Sequence, residues 1–100
     1  MMLLTKANRK ALPPLYSQDG LGEDAIAYVK FFDPTGAATW YATEFDGVET
    51  FFGLADLGIG FRELGYFSLS ELQAIKGRFG LGIERDRYWS PRPLRECHGS

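Results

Sequence analysis

In the stretch WYATEFDGVETFFGL, residues 40–54, Asp46-Gly47 fits a two-residue type I′ turn whose central residues take positive φ. Folding about that turn sets Glu44 opposite Glu49, Phe45 opposite Val48, Ala42 opposite Phe51 and Tyr41 opposite Phe52. Two facing carboxylates can bind a hard cation or share a proton, as general acid–base sites do. Either use needs further groups, and no third ligand is identifiable. A like-charged pair that keeps an exposed sheet end from sticking is therefore the simpler expectation, with no metal bound.

Other chemistry finds less material. A Ser-His-Asp or Cys-His hydrolase needs an imidazole held rigidly beside its nucleophile. The single histidine is His98, third from the end and next to the single cysteine, Cys97. Zinc needs three or four protein ligands, more than this pair supplies. Gly58-Ile59-Gly60 and Gly80-Leu81-Gly82 are G-x-G runs that lack the third glycine of a dinucleotide fingerprint and the G-K-[ST] of a phosphate loop. No catalytic residue and no cofactor is expected, and a non-catalytic protein is favoured over an enzyme.

The segment RFGLGIERDRYWSPRPLR, residues 78–95, is locally basic: Arg78, Arg85, Arg87, Arg92 and Arg95 outnumber Glu84 and Asp86. With Phe79, Tyr88 and Trp89 interleaved, it has the parts of a single-strand nucleic-acid site, where arginines hold phosphates and rings stack on bases. The structural alternative pairs Glu84 and Asp86 with the neighbouring arginines and packs Trp89 back on the sheet. A formal net charge of −2 favours that alternative, because generic nucleic-acid binders are basic.

The chain has 100 residues, 45% apolar and 15% aromatic, enough for one packed domain and too short for two. One cysteine excludes an intramolecular disulfide. The N-terminus lacks the apolar run of a signal peptide, and no stretch reaches transmembrane length, so a soluble cytoplasmic protein without membrane contact is expected.

The elements follow from punctuation. Thr5 caps a short helix over residues 6–12, stopped by Pro13 and Pro14. Residues 25–32, rich in β-branched and aromatic side chains, read as a strand, and DPTG at 33–36 as a type I turn into a second strand over 37–45. The Asp46-Gly47 turn leads to a third strand at 48–54. One face of this meander carries Tyr41, Thr43, Phe45 and Phe52, and the other Trp40, Ala42, Glu44, Glu49 and Phe51. A glycine-rich loop precedes a fourth strand at 61–67. Ser68 with Glu71 opens a helix through about residue 76, bearing Leu69, Leu72 and Ile75 on one stripe. A fifth strand lies around 81–88, after which the chain runs extended and residues 95–100 are loose, leaving an ordered core of about 4–94. The fold expected is α+β, a single domain with an antiparallel sheet of four or five strands and one or two short helices packed on it.

The succession LTKANRKALPPLY, VKFFDPTGAATWYATEFDG, FFGL, ELGYFSLSEL and FGLGIERDRYW resembles an uncharacterised domain-of-unknown-function family of small bacterial proteins carried by plasmids and integrative elements. The likeness spans residues 4–94. It implies an accessory role for a mobile element in the cytoplasm and supplies no catalytic residues. A protein partner in regulation or counter-defence is the leading expectation, met through exposed rings at Trp40, Tyr41, Phe45, Phe51, Tyr88 and Trp89. Nucleic-acid binding through Arg78, Arg85, Arg87 and Arg92 comes second. A metal-dependent enzyme on Glu44, Glu49 and Glu63 comes third.

Overall fold

Both helices form where local capping calls for them. In the computed structural model, which describes residues 3–97, helix α1 spans Lys6–Ala11 and helix α2 spans Leu69–Ala74. Thr5 Oγ1 accepts from the Asn8 N–H at 3.1 Å while Asn8 Oδ1 accepts from the Thr5 N–H at 3.0 Å, a reciprocal capping box. Ser68 Oγ likewise accepts from the Glu71 N–H at 3.0 Å. α2 presents Leu69 and Leu72 to the core and stops at Ala74, short of the expected residue 76, because Ile75 is already extended.

Among the described residues seven strands follow the order β1 Ile26–Ala27, β2 Val29–Phe32, β3 Thr39–Phe45, β4 Thr50–Asp56, β5 Arg62–Ser68, β6 Glu84–Arg85 and β7 Arg92–Pro93. Five of them make an antiparallel sheet in the order β5-β4-β3-β2-β6, and β1 pairs with β7 in a separate two-stranded ribbon. The fold is α+β, as the sequence implies. The DPTG turn closes as expected, with the Gly36 N–H donating to Asp33 O and the Thr35 N–H to Asp33 Oδ1.

The next turn departs from expectation. Asp46 to Glu49 form a longer loop, since one Asp46 oxygen accepts from the N–H groups of Val48, Glu49 and Thr50 at 2.7–3.0 Å. Three amides on one carboxylate outweigh the two-residue turn, and Gly47 still supplies a positive φ of 91°. The register moves accordingly: Phe45 faces Phe51, Glu44 faces Phe52, Ala42 faces Gly53 and Tyr41 faces Leu54. A bulge between Ala42 and Glu44 adds one residue to β3, and one extra residue reverses the faces beyond it. Phe45 therefore joins Trp40, Ala42 and Phe51 instead of Tyr41.

Two cores result, one on each side of the sheet. Phe31, Trp40, Phe45 and Phe51 pack against Leu69 and Leu72 of α2 and against Leu3, Leu4 and Leu12 on either side of α1. On the reverse face Tyr41 and Leu54 are covered by Ala25, Ala27, Leu94 and Cys97. The expected fifth strand contracts to β6, because the chain turns at Asp86, whose Oδ1 accepts from the Tyr88 N–H at 2.9 Å. Arg95 to Cys97, expected to be loose, are instead folded: Leu94–Glu96 form a 3-10 turn and Cys97 is fully buried. His98 and the Arg78 side chain lie outside the described residues.

Candidate interaction surface

Glu44 and Glu49 do not face each other. Glu44 is only 3% exposed, and its two oxygens accept separately from the backbone N–H groups of Tyr16 and Gln18, each at 2.8 Å. That pins Tyr16, whose φ is 72°, and positions Gln18 to close the gap beside the bulge. The Gln18 amide donates to Ile26 O at 3.0 Å and Thr43 O at 2.8 Å and accepts from the Ile26 N–H at 2.7 Å. Glu49 instead receives the N–H and hydroxyl of Ser70 at the start of α2. Each carboxylate ties down a different segment, which overturns the facing pair as a cation or proton-sharing site. Among the described residues no three His, Cys, Asp or Glu side chains gather as metal ligands.

The expected aromatic interface is mostly core. Trp40, Tyr41, Phe45 and Phe51 are all buried, because both sheet faces carry a covering layer. Burial is also the main reason the Tyr41 hydroxyl is pushed up to about 12 and the Cys97 thiol to about 11. Trp89 packs inward as the structural alternative anticipates. Its Nε1–H donates to Ala27 O at 3.0 Å, its ring centre is 5.6 Å from that of Tyr41, and the Arg92 guanidinium lies 4.1 Å above it. Of the six expected rings, Tyr88 alone is largely exposed.

The basic segment is partly assembled. A hollow of about 320 Å³ is lined by Lys30, Phe32, Arg85, Arg87 and Tyr88, together with the acidic Glu84 and Asp86. Arg85 donates to Leu3 O at 3.0 Å, and Arg92 is stacked on Trp89. Two of the three described arginines proposed for phosphates thus have partners within the fold.

A cluster of exposed apolar side chains lies elsewhere, on the β4–β5 hairpin. At its tip Leu57, Ile59 and Phe61 are 50%, 70% and 69% exposed and, with Ala55 and Glu63, line a hollow of about 110 Å³. Gly58 and Gly60 hold φ of 80° and 93° between them, bending the loop so that its large side chains turn outward. Along β5 itself Leu64 and Tyr66 are also exposed, with Tyr66 edge-on to Phe52 at 5.1 Å. The signal was visible in the sequence: three large apolar residues alternate with glycines in a loop, where polar residues are the rule.

The molecule is thus a small α+β domain in which Glu44, Asp46 and Glu49 tie segments of the chain together, with five exposed large apolar side chains gathered on one hairpin. Over residues 3–95 the chain matches, and belongs to, the family described as Protein of unknown function (DUF2958). Comparison with curated proteins and with solved structures gives no match.

Proposed function

We propose that the chain is a non-catalytic accessory binding protein of a mobile genetic element, acting in the cytoplasm on a protein partner in regulation or counter-defence. The observation that supports it is the exposed Leu57, Ile59 and Phe61 cluster at the hairpin tip. Apolar side chains of this size gain from being covered, and large rings and branched chains make good interface anchors. The contact moves from the sheet face to the hairpin because the sheet's own rings are buried. Capture from host lysate on immobilised protein, with and without nuclease, tests the class of partner. A partner retained after nuclease is the expected result, and one lost with the nucleic acid would overturn it.

A second role rests on the hollow around Lys30, Arg87 and Tyr88. If single-stranded nucleic acid docks there, Lys30→Gln with Arg87→Gln weakens oligonucleotide binding and flattens its salt dependence, through lost counterion release. Absence of any salt-sensitive binding by the native protein at micromolar concentration removes this role.

A further inference from the structure

We propose that β5 is the seam of a symmetric dimer, pairing antiparallel with β5 of a second copy about an axis through Gly65. This goes beyond the hairpin-tip contact and uses different residues. β5 is an edge strand, and no other described strand lies on its outer side. The Leu69 N–H donates to Glu49 O at 2.8 Å, which sets the phase of the β4–β5 ladder. Odd-numbered residues of β5 exchange bonds with β4, so the N–H and C=O groups of Arg62, Leu64 and Tyr66 point outward.

Edges of this kind are ordinarily guarded by proline, lysine or a bulge. β5, with sequence RELGYFS, has none of these, and its register with β4 is unbroken from Arg62 to Ser68. The strand is complementary to itself. Pairing about Gly65 sets Leu64 against Tyr66 of the second copy and Tyr66 against its Leu64, joining two half-exposed apolar side chains from each on one face. The outward-pointing backbone groups of these residues then meet in hydrogen-bonded pairs, and Gly65 meets Gly65 in a non-bonded pair.

The same register sets Arg62 of one copy against Ser68 of the other, with the Arg62 guanidinium still tied to Cys97 O and Asp56 of its own chain. Registers centred on Leu64 or Tyr66 keep the bonding phase but shorten the paired run and set one of those side chains against its own copy. A second copy is therefore the occupant that this edge fits along its whole length.

Gly65→Cys tests the axis, because a Cβ built at Gly65 meets nothing within 4 Å. Non-bonded antiparallel pairs hold Cα atoms about 4.5 Å apart, inside the range a disulfide spans. Mild oxidation should convert this variant to a covalent dimer at least about tenfold faster than Leu64→Cys, a ratio equivalent to about 1.4 kcal/mol. The wild type should stay uncrosslinked, since Cys97 is buried. Sedimentation should find the native chain dimerising with concentration, and Leu64→Lys monomeric with unchanged circular dichroism. A native chain that stays monomeric up to about 1 mM, a free energy near −4 kcal/mol, would overturn the proposal. So would equal crosslinking of the two cysteine variants. If Gly65→Cys does not fold, the masses of the native and Leu64→Lys proteins decide alone.

Discussion

Replacing Glu44 by Gln keeps its shape and removes one of two acceptors, leaving an amide NH2 facing the Tyr16 or Gln18 N–H. A buried donor without a partner costs about 1–3 kcal/mol, so Glu44→Gln should lower the urea midpoint by a corresponding amount. Had Glu44 merely repelled an exposed Glu49, the change would be neutral or slightly stabilising, so an unchanged midpoint would contradict the anchoring role. Asp46 carries a pH signature. Backbone N–H groups of Glu49, Val48 and Thr50 hold its carboxyl below the ordinary 3.8. A carboxyl depressed in the folded state contributes stability above its unfolded value, and that stability is lost as pH falls through the lower folded value. Asp46→Asn should accordingly flatten the loss of stability below about pH 4, which acid titration followed by circular dichroism would measure. An acid transition identical to the native one would contradict this.

At the scale of elements, Gly53 is the residue that the bulged β3 demands. A Cβ there would sit 1.9 Å from the Tyr41 carbonyl oxygen, which is backbone and cannot step aside, whereas a Cβ at Gly65 meets nothing within 4 Å. Gly53→Ala should destabilise by at least about 2 kcal/mol, and Gly65→Ala should leave the melting temperature near the native value. Equal melting temperatures for the two variants would refute the bulge geometry. Local signals of this fold were legible beforehand: the Thr5 and Ser68 caps, the Pro13-Pro14 stop and the DPTG turn each act within four residues. What stayed hidden acts over distance. Glu44 holds Tyr16 and Gln18 from 28 and 26 residues away, and Gln18 bridges β1 and β3 in place of backbone. The longer loop at Asp46 was masked because Asp-Gly is also a good two-residue turn, and the choice between them set every pairing in β3 and β4. Burial of Trp40, Tyr41, Phe45 and Phe51 depends on what lies over each face, which alternation within a strand does not encode.

Across the whole molecule, the aromatic residues divide between structure and surface. α2 and the residues flanking α1 cover one sheet face, and the β1–β7 ribbon with the Leu94–Cys97 turn covers much of the other, while the hairpin of β4 and β5 keeps a group of exposed apolar side chains. No helix among the described residues is long and apolar enough to cross a membrane. The central claim is that this hairpin tip holds a protein partner. Its most direct test is nuclease-treated capture from host lysate by wild type and by Ile59→Asp/Phe61→Asp, compared side by side. Both residues are already exposed, so the double variant should melt within about 0.5 kcal/mol of native stability. It should lose the partner that the wild type retains. Equal retention by the two proteins, with the variant folded, would contradict the claim.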